Sequence, residues 1–219
     1  MTAHEVRETG ESEIADDLVA SVRRLMCAAA TTSRDDALLS RVRQQLDQIS
    51  EVLELDSRLA VRRVPLDDER VEQIRAGGRW RMFPFNPLGI PQSIHVVDGV
   101  AVSRIGLGPL YEGPPGLVHG GFSAAVLDAL VGVVVMAEVA PSFTARLDIS
   151  YLRAMPLDGE IEARAWVTEV ADRRILAEGA ISQAGRVAVE ARGVFVPMAT
   201  PFVDIVAQAR ARADGAQSG

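Results

Sequence analysis

The chain has 219 residues, 23 basic and 30 acidic side chains and a formal net charge of −7. This acidic balance, with Arg as the only basic residue besides His, speaks against general nucleic-acid binding. The length fits one sizeable domain with an extension, and no stretch of about 18 apolar residues free of charge suggests a membrane-spanning helix.

Residues 1–11 are polar, charged and without periodicity, so they read as disordered, and nothing there resembles a secretory leader; a cytoplasmic location is expected. From Ser12 onward Ile14, Leu18, Val22, Leu25 and Met26 recur at helical spacing, and Ser12 or Ser33 could cap a helix. Cys27, the sole cysteine, lies among Leu25, Met26 and Ala28 and reads as a small buried apolar residue. A second helix carries Leu38, Leu39, Val42, Leu46, Ile49, Val52 and Leu53 on one stripe. Residues 1–76 thus read as an α-hairpin extension that packs on the main domain or on another subunit, since short helices need packing. A DNA-binding headpiece is disfavoured there, because acidic residues outnumber Arg by 16 to 11.

The stretch after Gly77-Gly78, with Trp80, Phe83, Phe85 and several prolines, reads as a linker that covers either the core or a substrate tunnel. Two β-rich runs, 93–97 and 100–107, flank Asp98-Gly99, a strong hairpin signal. A Pro- and Gly-rich turn, Gly113-Pro114-Pro115-Gly116, then leads to His119-Gly120-Gly121 and an apolar helix running to Val139, stopped by Pro141. Four strands follow at 143–153, 160–169, 174–182 and 186–196, as an antiparallel meander whose sheet should wrap the helix. Residues 199–219 read as a tail.

The helix start carries the chemistry. Glycines at the first helical positions leave backbone N–H groups uncovered, and the helix dipole attracts developing negative charge to the same spot. One carboxylate, Asp128, sits inside the apolar run. A carboxylate there needs a partner or a function, because burying it unpaired is costly. An oxyanion donor with a carboxylate base is the equipment for hydrolysing an acyl group. Gly120 and Asp128 are eight residues apart, about 12 Å along one helix at ~1.5 Å per residue. One carbonyl and its water cannot span that gap, so if both serve one reaction they come from two copies, and a homodimer with a composite site is expected. His119 could orient the loop or act in proton transfer. Thr144 and Ser150, an even number apart, should share one strand face. Arg153 could hold a phosphate or be a plain surface residue.

Together, Gly113 to Gly116, His119-Gly120-Gly121, Asp128 nine residues after the His, and Thr144-Ala145-Arg146-Leu147-Asp148-Ile149-Ser150-Tyr151-Leu152-Arg153 resemble the PaaI-like group of hotdog-fold acyl-CoA thioesterases over roughly residues 80–197. The resemblance implies an α+β hotdog fold: an antiparallel sheet wrapped around a long central helix in a domain of residues 77–198, here with an N-terminal helical extension. It implies two subunits pairing into one continuous sheet, often as a homotetramer. It also implies hydrolysis of acyl-CoA to free acid and coenzyme A, with the Gly120 amide polarising the carbonyl and Asp128 of the other subunit as base or nucleophile. Thr144 would help place the water, and Gly121, Ser150 and Arg153 would contact substrate. Some members carry an Asn six residues before the His, where this chain has Gly113. No metal or redox cofactor is implied, since His4, His95 and His119 lack ligand spacing; coenzyme A enters only as part of the substrate. A non-catalytic acyl-CoA-binding or sensing module on the same fold is the rival reading, against which Asp128 with Thr144 argues. An acyl-CoA hydratase would place its His after the Asp, and here the order is reversed.

Overall fold

The computed structural model describes residues 3–33, 35–55, 64 and 66–199. In chain order these form α1 (Ala3–Thr31), α2 (Asp36–Glu54), α3 (Asp68–Arg75), β1 (Trp80–Arg81), β2 (Ser93–Val97) and β3 (Val100–Gly106). A 3-10 turn at Pro109–Tyr111 leads to α4 (Gly120–Glu138), then β4 (Ser142–Tyr151), β5 (Glu160–Ala171), β6 (Arg174–Gln183) and β7 (Arg186–Pro197). The expected tail at 199–219 lies, beyond its first residue, outside the described residues.

The β2–β3 turn forms as its sequence predicts. Asp98 and Gly99 both adopt positive φ, 51° and 73°, the primed geometry that matches the twist of paired strands. The seven strands form one antiparallel sheet in the order β1-β2-β3-β5-β6-β7-β4. That corrects the simple meander. Of the four strands after α4, only β5, β6 and β7 run as neighbours in chain order, while β4 crosses to the far side and pairs with β7. Its other edge is open, which local residue preferences could not reveal.

α4 is the core. Val126, Leu127, Leu130, Val131, Val134 and Val135 have no exposed surface, and they meet Ile161, Ala163 and Ala165 of β5, Ile175 and Ile181 of β6 and Phe195 of β7 in one cluster. Each such aliphatic side chain contributes about 1.5–3 kcal/mol by leaving water. α4 is apolar enough by length and composition to cross a bilayer, yet more than half of it is buried inside this sheet. Its C-terminal end is met by α3, whose Arg75 donates to the Ala137 carbonyl at 2.6 Å, a cation where the helix dipole is negative.

The N-terminal helices differ from expectation in detail. α1 begins at Ala3 rather than Ser12, since Glu and Arg propagate a helix without needing an apolar stripe. Ile14, Leu18 and Leu25 of the anticipated stripe stay exposed, while Val19 is buried and Cys27 only half-buried. α1 instead docks beside the 3-10 turn, with Arg23 and Asp16 reaching residues of the main domain. The cap of α2 is Asp35, not Ser33; its side chain accepts from the Ala37 and Leu38 N–H groups. No residue of α2 is buried.

Candidate active site

The turn before α4 is built to fix His119. The His119 N–H donates to the Tyr111 carbonyl at 2.9 Å, Val118 N–H to the Met155 carbonyl at 2.9 Å, and Gly113 N–H to the Leu117 carbonyl at 2.9 Å. Tyr111 stacks edge-on against Phe122 with ring centroids 5.0 Å apart, and burial pushes its phenol above the usual tyrosine range while nearby Arg23 pulls it back down. A Cβ on Gly113 would lie 2.8 Å from the His119 Cα. Position 113 therefore has no room for a side chain, and its glycine lets the loop close on the histidine.

His119 is the N-cap of α4. Its Nδ1 accepts the Gly121 N–H at 3.0 Å, which requires the proton to sit on Nε2. This fits the orienting alternative for His119. It also changes the reading of Gly121, whose amide is engaged by His119 and so is not open to a substrate; its lack of a side chain makes room for the imidazole, 3.1 Å from where a Cβ would stand. No partner for the Gly120 N–H is found among the described residues. Of the two successive glycine amides, Gly120 holds the one still able to meet an oxyanion.

Gly120 has a packing reason as well. A Cβ there would come within 3.0 Å of the Tyr151 ring, and the Tyr151 hydroxyl donates to the Gly120 carbonyl at 3.0 Å. Tyr151 is the residue that sequence reasoning missed. Strand parity pointed to Thr144 and Ser150 instead.

That parity fails because of a bulge. The β4–β7 register shifts between Thr144 and Arg146, so the residues facing α4 are Thr144 before the bulge and Leu147, Ile149 and Tyr151 after it. Thr144 and Ser150 consequently lie on opposite faces, contrary to the even-number rule. Ser150, paired with Glu190 in the ladder, points away from the helix. Arg153 follows the strand, its N–H bonded to the Ala188 carbonyl and its side chain exposed, at the Gly120 end rather than beside Asp128.

Asp128 stands mid-helix and accepts a hydrogen bond from the Thr144 hydroxyl at 3.1 Å. The structure corrects the expected burial: Asp128 is exposed in the protomer, on the open stripe of α4 with Gly121 and Ala125. The pair borders a cavity of about 390 Å³ whose other walls include Leu66, Trp80, Met82, Phe83, Val133, Met136 and Phe143. Ligand sites of this kind are apolar with a few placed polar groups. A second hollow of about 230 Å³ lies further along α4, between Phe122 and the turn at Phe83–Gly89. Phe83 borders both hollows, Phe122 borders the second, and Phe85 borders neither.

The site thus joins a mid-helix carboxylate held by a strand threonine to an uncovered glycine amide eight residues earlier on the same helix, wrapped by an antiparallel sheet. The profile of the Thioesterase superfamily matches residues 115–190, from the turn before α4 into β7. The crystal structure of a thioesterase superfamily protein is 31% identical, with 83% of this chain and 90% of that one covered and a TM-score of 0.72. The chain belongs to the thioesterase superfamily. The fold is the hotdog fold expected from the sequence, with helices added before it. Shorter proteins resemble its core alone. The phenylacetic acid degradation protein PaaI from Thermus thermophilus, solved as a point mutant, is 19% identical, covering 49% of this chain and 93% of its own at a TM-score of 0.46. A hypothetical thioesterase protein from Streptococcus pneumoniae, solved with coenzyme A, is 22% identical, covering 45% of this chain and 81% of its own at a TM-score of 0.43.

Proposed function

We propose that the protein hydrolyses acyl-CoA thioesters to a free carboxylic acid and coenzyme A, at two composite sites in a homodimer. The observation that carries the reading is the Asp128–Thr144 pair on the rim of the apolar cavity. In this scheme Asp128 accepts a proton from water as the water oxygen attacks the thioester carbonyl carbon. The partner's Gly120 N–H holds the oxyanion that develops. The tetrahedral intermediate then collapses, the C–S bond breaks, and the thiolate leaves with the proton. Thr144 orients the carboxylate, and His119 fixes the turn that presents Gly120.

The distance along α4 supports the dimer. Gly120 and Asp128 lie on one unbroken helix, about 12 Å apart by its rise, too far for one carbonyl. The open edge of β4 and the exposed stripe of α4 border the same flank, where a second copy would meet both. The test is thiol release over a panel of acyl-CoAs. Asp128→Asn should lose about 10²-fold or more in kcat, whereas equal rates in the two proteins would return the protein to the acyl-CoA-binding reading. Mixing Asp128→Asn chains with Gly120→Ala chains gives heterodimers with one intact composite site, so random mixing should restore roughly a quarter of wild-type activity. Two inactive parents that stay inactive when mixed would remove the composite site.

A further inference from the structure

We infer that Arg23 of α1 is a positioning residue for the acyl pocket: it clamps the turn that walls the cavity, so that the N-terminal extension sets which acyl groups fit. The inference rests on the proposed thioesterase site and adds to it a residue outside the hotdog domain.

The wall in question is the segment from Arg81 to Gly89. Met82, Phe83 and Asn86 border both hollows. The segment holds itself poorly. Phe83 adopts φ 50°, a left-handed conformation that a bulky side chain avoids unless its surroundings enforce it, and its ring is about half exposed. Internal hydrogen bonds close the turn, from Asn86 N–H to the Phe83 carbonyl, from Gly89 N–H to the Asn86 carbonyl and from Leu88 N–H to the Asn86 Oδ1.

Arg23 adds three more from over 60 residues away in sequence. Its Nη2 donates to the Asn86 and Gly89 carbonyls at 2.9 Å each, and its Nε to the Pro87 carbonyl at 3.2 Å. A guanidinium has the planar array of donors that one arginine needs to bind three carbonyls, and a lysine could not reproduce it. Seven residues earlier on α1, Asp16 pairs with Arg81 at the other end of the wall. α1 therefore grips the segment at both ends, two helical turns apart.

The chemistry of the wall defines the ligand class. Among the described residues, the cavity's charged lining side chains are Asp128 and Arg81, and the guanidinium of Arg81 is already matched by Asp16. No free cation is left among the described lining residues for a second carboxylate, so the pocket suits an uncharged aliphatic or aryl acyl group.

The experiment compares wild type, Arg23→Ala and Arg23→Lys on acetyl-CoA and octanoyl-CoA, and measures octanoate binding by calorimetry in an Asp128→Asn background. Arg23→Ala should raise the octanoyl-CoA KM about tenfold, less than the roughly 10²-fold that a full 1 Å misplacement can cost, because the turn keeps its internal hydrogen bonds. Its kcat on acetyl-CoA should stay within about twofold. Arg23→Lys should fall between the two, and octanoate affinity should drop in parallel with the KM change. Unchanged octanoyl-CoA KM and unchanged octanoate affinity in a folded Arg23→Ala protein overturn the clamp. Should Arg23→Ala fail to fold, Asp16→Asn releases the other end of the same wall and must produce the same length-dependent shift, or the inference falls. The calorimetric arm needs no turnover, so loss of octanoate affinity sustains the clamp even if Asp128→Asn hydrolyses at the wild-type rate and the proposed function fails.

Discussion

α2 and α4 are both 19 residues long, and they have opposite fates. α4 buries ten of its residues beneath the sheet, while α2 buries none. Each carries apolar side chains at helical spacing, so the difference lies in the partner. β5 and β6 bring rows of alternating buried residues against α4, whereas Leu38, Leu39, Ile49, Val52 and Leu53 of α2 remain exposed in the protomer. Amphipathic spacing announces a helix; burial requires a complementary surface, which no single segment announces. α4 also differs from a mere core helix along one stripe. There Gly121, Ala125 and Asp128 stay open, and that is where the chemistry is proposed to lie.

The sharpest way to break the contrast is truncation on both helices. Leu127→Ala removes a side chain with no exposed surface and should destabilise the fold by about 2–5 kcal/mol, lowering Tm by roughly 5–15 °C for a chain of this size. Leu53→Ala, half-exposed on α2, should change stability by no more than about 0.5 kcal/mol. Thermal melts of the two variants decide it. A comparable loss in Leu53→Ala would mean that α2 is covered in solution by something outside the protomer.

The second test addresses the start of α4. Gly120→Ala brings a methyl group within 3.0 Å of the Tyr151 ring, and overpacking of this kind costs about 1–3 kcal/mol. The proposed oxyanion donor would shift with it, so kcat should fall by more than the stability loss accounts for. Tyr151→Ala in the same chain makes room for the methyl group, and the double variant should regain stability in denaturant melts. Failure to regain it would show that the glycine serves backbone conformation rather than the approach of Tyr151.

The hairpin at Asp98-Gly99 and the extent of α4 were legible in the sequence because each rests on local chemistry: two residues that tolerate positive φ, and an apolar run bounded by glycine and proline. Asp128 and Thr144 were each singled out through resemblance to a known family, but the hydrogen bond between them was not. The faces of β4 were not, because the bulge after Thr144 carries no glycine to mark it, and one extra residue reverses every later side chain. Tyr151 and Arg23 were hidden for a related reason. Their partners, the Gly120 carbonyl and the carbonyls of residues 86, 87 and 89, are backbone atoms, which leave no trace in the identity of the residues they belong to. For the same reason the apolar stripe of α1 was a poor guide to its docking face, which runs through Val19, Arg23 and Asp16.

The smallest expected effect tests whether the open stripe of α4 works as a unit. Thr144→Val keeps the shape of the side chain and removes the hydroxyl that donates to Asp128. One such hydrogen bond contributes about 1 kcal/mol, so kcat should fall about fivefold while KM changes little. Because both residues are exposed, stability should hardly move, which separates this variant from Leu127→Ala on the buried face of the same helix. The informative comparison is the double variant. If Thr144 acts by orienting Asp128, then Thr144→Val added to Asp128→Asn should cost nothing further, since there is no longer a base to orient. Independent losses that multiply would mean that Thr144 meets the substrate or its water directly, and the two residues would then be separate contributors on facing elements.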